Sequence, residues 1–546
     1  MGTCAEVFAD CLTAAGVRRL YGVPSEGSGL DLVEAGRLRQ IAFLPSLRAN
    51  SAAVMAATEG DLTGLPGVCL APAGAGAGNV VGGVARALFH RAPLVLITPR
   101  PSRAALRLGA GFGTDHLHLF HEVTKAGASV TAPRTERLFA WAWERALSAP
   151  RGPVHLDLPA DEAVRDCRRR GVELSAARMV KPSPSAVRAA ARLLARRGRA
   201  LVVVGQGCRD GRNARALREL AEHLGAPVLT TARAKGVLAE DHPLSAGVMF
   251  GGRADQEFLA KAQAVLAVGV DAAELLPRPW ACAGPVVSLD EYAAGPRPFE
   301  PATQVVADLT PTLAELRQSL PPAGEWGLPS WARRAAEFRA GVRRTLSAPW
   351  DARGGVGMPP HRVVQIAREV LPRETVVSVE GGAHAPLVAA FWDAYEPQRY
   401  LDAGGMGGSG YALPAAIAAR LIEPTRPVVA FTGEEGLLLT LADLATASRL
   451  GLPMIVVVFW DGALGLVRAA QEQRRYAPVG VSFAGVDIPR LGDGVDALVI
   501  EVADENALRS ALEDAVAAPK PALVAVRVRP SGYRRMFEVL RGKSAD

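Results

Sequence analysis

Short, almost wholly apolar runs recur along this chain, and they give way to glycine-bearing loops and small-residue helical patterns. Gly67-Val68-Cys69-Leu70 and Leu94-Val95-Leu96-Ile97 are two such runs. Between them, Gly78-Asn79-Val80-Val81-Gly82-Gly83-Val84-Ala85 opens a helix. A strand without a polar face must be covered on both sides, which parallel sheets flanked by helices achieve. The same grammar restarts at Ala200–Gly205, with Pro227-Val228-Leu229 and Ala264–Val268, and again at Thr375–Val379, Pro427–Phe431, Met454–Phe459 and Ala522–Val526. Pro-marked segments, Arg168–Pro184 and Pro321–Pro360, separate the sections. The pattern predicts an α/β chain of three Rossmann-like domains with parallel sheets, over residues 1–167, 184–320 and 356–546.

Composition narrows the class. At 546 residues the chain exceeds one hydrophobic core, and 49% apolar against 21% charged residues suits a folded protein. The net charge is +7, but only six of the 62 basic residues are Lys and the Arg are scattered. The densest basic run, Arg168-Arg169-Arg170, is too short for a nucleic-acid-binding arm. Six widely spaced Cys without a C-x-x-C pair argue against a zinc knuckle or a disulfide framework. The start lacks the basic and apolar pattern of a secretory signal, and the uncharged stretch through Leu65–Ala85 is broken by Gly, Pro66 and Pro72. A cytoplasmic protein without a membrane span is expected.

Several motifs have a plain reading beside a chemical one. Gly205-Gln206-Gly207-Cys208-Arg209-Asp210-Gly211 follows an apolar strand as a dinucleotide loop would. Its third Gly is one residue late, and Thr230-Thr231 stand where an acidic residue should end the next strand, so a tight turn into a helix is preferred. Gly407-Gly408-Ser409-Gly410-Tyr411 fails the nucleophile-elbow pattern, and no Walker loop is present. His116, His118 and His121 crowd one short stretch. His118 and His121 could share a helix face as metal ligands, but an exposed polar helix start anchored by Leu117 and Phe120 is preferred. The run Gly404-Gly405-Met406-Gly407-Gly408-Ser409-Gly410 precedes a helix and could cradle an anion on successive amides and the helix N-terminus. Two later apolar strands end in Gly433-Glu434-Glu435-Gly436 and Trp460-Asp461-Gly462. Carboxylates there suit a Mg²⁺-bridged diphosphate, or else two acidic helix caps.

The whole chain resembles thiamine-diphosphate enzymes of the acetolactate synthase and benzaldehyde lyase group. Gly16-Val17-Arg18-Arg19-Leu20-Tyr21-Gly22-Val23-Pro24 resembles the family's opening G-V-x-x-x-F-G-x-P. Pro72-Ala73-Gly74-Ala75-Gly76-Ala77-Gly78-Asn79 resembles its T-S-G-P-G-x-x-N turn. Thr124-Lys125, Gly152–Pro159, Gly410–Ala416 and Leu441–Ser448 resemble its T-K, G-P-V-x-x-D-x-P, G-Y-G-L-P-A-A and E-L-x-T-A segments. The resemblance implies an N-terminal pyrimidine-binding domain, a central non-catalytic domain and a C-terminal diphosphate-binding domain. It implies a homodimer or homotetramer with the site at the subunit interface. Cofactor contacts would fall on Pro24, Gly76, Asn79, His384, the Gly404, Gly405, Met406, Gly407, Gly408 and Ser409 loop, Glu435 and Gly436. Mg²⁺ would be held by Glu434, Asp461 and the Ala463 carbonyl. Synthase relatives bind FAD in the central domain, a question the weak glycine loop leaves open here.

The departures carry as much information. The family's catalytic glutamate, from R-H-E, falls on Asn50 in Arg48-Ala49-Asn50. A carboxamide hydrogen-bonds but exchanges no proton at working pH. The Gln of F-Q-E-x-D falls on Gly113, and the residue that bends the cofactor falls on Ser409. Glu434-Glu435 replaces Asp-Gly, and Trp460-Asp461 replaces Asn-Asn. The expectation is a thiamine-diphosphate-dependent decarboxylase or carboligase of a small 2-oxo acid or other small anionic substrate. Asn50 would position the pyrimidine, and His116, His118 or His384 would serve as the acid–base group. The alternatives are a thiamine-independent enzyme on the same scaffold, or a non-catalytic homologue that binds a partner.

Overall fold

The computed structural model describes residues 2–108, 114–175, 179–195, 199–293, 295–322, 329–350, 357–483 and 485–541. The apolar runs become three parallel sheets of six strands each. The first holds β1 (Arg19–Gly22), β2 (Ala42–Pro45), β3 (Gly67–Leu70), β4 (Leu94–Arg100), β5 (Gly127–Ser129) and β6 (Pro153–Pro159), in the order β2-β1-β3-β4-β6-β5. The second holds β7 (Ala200–Val204), β8 (Val228–Thr230), β9 (Ser245–Val248), β10 (Ala264–Val268), β11 (Val286–Asp290) and β12 (Pro301–Val306), ordered β9-β8-β7-β10-β11-β12. The third holds β13 (Val376–Val379), β14 (Tyr400–Asp402), β15 (Val428–Gly433), β16 (Ile455–Trp460), β17 (Leu498–Val502) and β18 (Ala522–Arg527), ordered β14-β13-β15-β16-β18-β17. Residues 200–204, 264–268 and 522–526 are buried at every position, as strands covered on both faces must be.

In each sheet the succession of strands switches from one side of the first strand to the other, between β1 and β3, between β7 and β10, and between β13 and β15. Crevices open at the carboxyl ends of such strand pairs, and ligands of open α/β sheets bind there. The helices that start beside them are α1 (Ala49–Thr63) and α2 (Ala75–Phe89) on the first sheet, α3 (Gly211–Leu224) on the second, and α4 (Ala412–Ile422) and α5 (Glu434–Arg449) on the third.

By internal contacts the chain forms two units. One comprises Met1–Arg178, Ile417–Glu423 and Thr440–Leu450, and the other Met179–Ala416, Pro424–Leu439 and Gly451–Asp546. The last piece of the first unit begins at Thr440, whose non-helical φ −118°, ψ 18° breaks α5. Within the second unit, the buried Lys235 ammonium binds the Glu240 carboxylate at 2.5 Å and the Ala389 carbonyl at 2.8 Å. Glu240 also accepts the Ala394 amide, so the pair is hydrogen-bonded as well as charge-matched, the condition under which a buried ion pair is tolerated. All six Cys are unpaired, and five are buried. Among the described residues no helix is long and apolar enough to cross a membrane.

Candidate active site

In the second unit, the switch between β13 and β15 brings His384 and Glu434 to one crevice. Glu434 follows β15 directly and opens α5. Its Oε2 accepts the backbone amides of Asp461 (3.2 Å) and Gly462 (2.5 Å), which lie just past the end of β16. Its Oε1 is buried without a hydrogen-bond partner. Burial pushes the Glu434 carboxyl up to about 7, and the charge of Asp461 adds to the rise. Asp461 is itself pushed up to about 6 by burial, with Arg468 acting in the opposite direction. Its Oδ1 accepts the Ala463 amide at 3.1 Å. The Ala463 loop is pinned by Leu464 N–H to the Val481 carbonyl and Phe483 N–H to the Gly462 carbonyl. Two buried carboxylates whose proton affinity is raised, one with an orphaned oxygen, are what a hard divalent cation would relieve. Among the described residues no cluster of three His, Cys, Asp or Glu could hold a metal. A cation here would draw on two carboxylates, a backbone carbonyl and oxygens of a ligand, and the donor set fits Mg²⁺ with a diphosphate.

His384 is buried, stacks on Phe459 with centroids 4.9 Å apart, and has an Nε2 without a partner. Burial pushes it down to about 4, against a hydrogen bond to the Phe431 backbone. It is therefore neutral near pH 7 and offers Nε2 as an acceptor, which suits positioning more than proton supply.

The glycine run requires its glycines. Gly404, Gly407, Gly408 and Gly410 all have φ between 66° and 99°, a region side chains rarely enter. Gly405, Met406, Gly407 and Gly408 are exposed and Ser409 is half-buried. The α4 N-terminus is not available as the other half of an anion cradle, contrary to the expectation from sequence. The buried Glu380 carboxylate takes the Tyr411 amide (3.0 Å) and the Ala412 amide (3.1 Å). A carboxylate is itself the anion a helix start favours, so only the loop remains for a diphosphate. Gly436 is forced by the same residue, since a Cβ there would lie 2.9 Å from Glu380 Cγ and 2.2 Å from Thr432 Oγ1. Half-buried Glu435 stands between Glu434 and Gly436. Trp460 is stacked by Arg527, whose guanidinium lies 3.7 Å from the ring centroid.

In the first unit, the carboxyl ends of the first sheet gather Pro24, Gly76, Asn79 and Asn50. Pro24 and Asn79 are exposed. A Cβ on Gly76 would meet Pro72 Cβ at 2.4 Å, so glycine is needed for the turn to close on itself. Asn50 lies in the first turn of α1, against α2. Its Oδ1 is 3.0 Å, and its carbonyl oxygen 2.7 Å, from where Cβ atoms on Gly82 and Gly83 would stand. One residue later Ser51 donates to Asp443 Oδ2 at 2.7 Å, while Arg48 Nη1 lies 3.6 Å from the same oxygen.

The histidine stretch corrects the picture of an exposed helix start. His116 is buried, with Nδ1 3.2 Å from Asp157 Oδ1. Thr98 donates to Asp157 Oδ1 at 2.8 Å, and Arg100 to Oδ2 at 3.0 Å. Burial would raise Asp157, yet the hydrogen bonds from His116 and Thr98 hold it below its ordinary value. His155 Nε2 reaches Thr98 Oγ1 at 2.8 Å, and burial pushes it down to about 4. His118 is exposed and His121 pairs with Glu122 at the surface. The helix is anchored by buried Phe120, whereas Leu117 is only half-buried. Gly113 lies outside the described residues.

Sequence reasoning passed over Glu380 and Asp443. Glu380 ends the apolar strand β13, the same signal that drew attention to Glu434. Asp443 is an acid inside an otherwise apolar helix stretch, Leu441–Ala445.

Comparison with known proteins adds three domain matches and full-length relatives. The N-terminal TPP binding domain of thiamine pyrophosphate enzymes matches residues 2–129, their central domain residues 187–316, and their C-terminal TPP binding domain residues 380–526. A probable acetolactate synthase large subunit of Methanocaldococcus jannaschii is 26% identical over 550 residues, covering 96% of this chain and 92% of that one. The acetolactate synthase of Bacillus subtilis is 25% identical, covering 96% and 93%. A probable 2-ketoarginine decarboxylase of Pseudomonas aeruginosa is 29% identical, covering 90% and 88%.

Proposed function

Because this chain belongs to the thiamine pyrophosphate enzyme family, we propose that it is an acetolactate-synthase-like enzyme that decarboxylates or ligates a small 2-oxo acid with thiamine diphosphate and Mg²⁺. The observation that supports this most directly is the orphaned Glu434 Oε1 beside Asp461, a divalent-cation donor pair at the sheet's switch point. Glu434, Asp461 and the Ala463 carbonyl would hold the metal. The 404–409 loop would bind the diphosphate, with His384 as a further cofactor contact. Pro24, Gly76 and Asn79 would shape the pyrimidine end, in a homo-oligomer whose subunits complete one another's sites. When bound, the cofactor would supply a nucleophilic carbon, and its cationic thiazolium ring would be the electron sink for decarboxylation.

Asn50 defines what this chain can and cannot contribute. Its amide can donate to, and accept from, a pyrimidine edge, which orients the ring without moving a proton. Of the three histidines weighed for acid–base work, His384 is held neutral by burial and His116 is engaged by Asp157. Only His118 is exposed. That shortage of a proton-exchanging group at Asn50 favours a second reading, a thiamine-independent enzyme or a non-catalytic homologue that uses the same crevice for a small anion.

Calorimetric titration separates the two readings. Micromolar binding of thiamine diphosphate that requires Mg²⁺ supports the enzyme. Absence of binding by thiamine diphosphate and by pyrophosphate, with and without the metal, rejects it.

A further inference from the structure

The switch between β7 and β10 creates in the middle sheet the crevice where open parallel sheets take dinucleotide phosphates, on the free amides of a glycine turn and a helix N-terminus. Here the donors of the turn itself are already spent. Gly205 N–H donates to the Val268 carbonyl and Gly207 N–H to the Gly269 carbonyl, both at 2.9 Å. Cys208 N–H donates to the Gly205 carbonyl (3.0 Å), and Arg209 N–H to the Gln206 carbonyl (3.4 Å). The remaining amide of the turn, Gln206, donates to Glu274 Oε2 at 2.8 Å. At the N-terminus of α3 the Asp210 side chain accepts the Arg212 amide at 2.9 Å.

The glycines of the turn serve contact between backbones. A Cβ on Gly205 would stand 2.5 Å from the Gly269 carbonyl oxygen and 2.8 Å from Glu274 Oε2, and one on Gly207 3.0 Å from Gly269 Cα. The 269–274 loop fills the space directly over the turn. Glu274 is fixed there by a second bond, from the Thr231 hydroxyl to Oε1 at 2.5 Å. Thr231 follows β8, where a dinucleotide site carries an acid for the ribose.

Nearby cationic and acidic groups are also committed. Arg233 gives Nε to Gln206 Oε1 (2.9 Å) and Nη1 to the Asp402 carbonyl (3.0 Å). Asp271 accepts the Tyr292 hydroxyl at 2.6 Å. Asp290, at the end of β11, is bound by Arg297 at 3.0 Å, Gln304 at 2.8 Å and the Ser288 hydroxyl at 2.7 Å. A pyrophosphate brought to the turn would have to displace Glu274 from the Gln206 amide, the one amide of the turn not bonded to a backbone carbonyl.

We infer that the Glu274 carboxyl group is a built-in acceptor that occupies the amide of the middle domain's glycine turn in place of a phosphate, so that this domain binds no flavin or other dinucleotide. The domain is then a structural member of the chain, and any reaction it supports proceeds without FAD. This inference does not rest on the thiamine reading, which concerns a different sheet.

The test begins with the full-length wild-type protein. It is denatured and the released material read for flavin absorbance, and the native protein is then melted with increasing FAD and, separately, ADP. No released flavin and no change in Tm with either ligand is the expected result. Stoichiometric flavin, or a rise in Tm that saturates with FAD or ADP, overturns the inference. Removing the internal acceptor tests its role. Glu274→Ala should bind FAD or ADP at least about tenfold more tightly than the wild type, while Glu274→Gln, which keeps an acceptor oxygen, should match the wild type. Equal affinity in Glu274→Ala and wild type would remove Glu274 from the role assigned to it. If Glu274→Ala does not fold, the wild-type measurements still decide whether the domain takes a dinucleotide.

Discussion

The Ser51 hydroxyl donates to Asp443 Oδ2 at 2.7 Å, joining the first turn of α1 to the part of α5 that follows its break at Thr440. The carboxylate is fully buried, its Oδ1 has no partner, and Arg48 is its nearest cation. Burial pushes Asp443 up to about 6, against the pull of Ser51 and Arg48.

The sign of the resulting pH dependence follows from linkage. Between about pH 4 and pH 6 the folded chain keeps a proton that the unfolded chain has lost, so stability falls as pH rises through that window. The effect is worth about 3 kcal/mol in all, at 1.36 kcal/mol for each unit of pKa. Asp443→Asn should abolish it. Unfolding free energy of wild type minus Asp443→Asn, measured in denaturant, should decline from pH 4 to 6 and level off above. A flat difference would show that this carboxyl titrates as an exposed one does.

Asn50 has room for a longer side chain because Gly82 presents no Cβ, and its Oδ1 already stands at the position that Cβ would approach. Asn50→Glu should therefore be accommodated and restore a group able to exchange a proton. A positioned acid–base group contributes about 10²- to 10⁴-fold, so consumption of pyruvate with thiamine diphosphate and Mg²⁺ should rise by at least about tenfold. Unchanged turnover in a variant that still binds the cofactor would mean that Asn50 is not what limits the reaction.

Glu434 should show opposite effects on binding and stability. It is a buried carboxylate with one unpartnered oxygen beside a second acid, an arrangement that costs the unliganded protein free energy. Glu434→Gln keeps the shape and removes the charge. Its metal-free Tm should equal or exceed that of the wild type, while Mg²⁺-dependent binding of thiamine diphosphate should weaken by at least about tenfold. Calorimetry and thermal melting read the two halves separately. Undiminished binding would place the metal elsewhere.

The parallel sheets were legible because uninterrupted apolar runs such as Leu201–Val204 admit few other structures, and the glycine run at 404–410 because four positive φ angles require that residue. What could not be read was the assignment of hydrogen bonds. Nothing in the spacing says that Glu380 will take the α4 amides, that Glu274 will reach back 68 residues to Gln206, or that Asp157 will draw His116 inward. Those partners are chosen by tertiary proximity. A carboxylate at a strand end could serve a ligand, as Glu434 is placed to do, or a neighbouring helix, as Glu380 does. Only the coordinates separate the two.

The histidines offer the last test, because burial divides residues that the sequence groups together. His116 shares Asp157 with Thr98 and Arg100, and its removal would leave a buried carboxylate with one donor fewer. His116→Ala should cost about 1–3 kcal/mol of unfolding free energy, the usual consequence of depriving a buried polar group of its partner. His118 is exposed, and His118→Ala should stay within about 0.5 kcal/mol of wild type. Activity discriminates a structural His116 from a catalytic one. If His116 only packs, kcat per folded molecule in His116→Ala should match the wild type and keep its pH profile. If it moves a proton, kcat per folded molecule should fall and the pH profile should change, while His118→Ala leaves both unchanged.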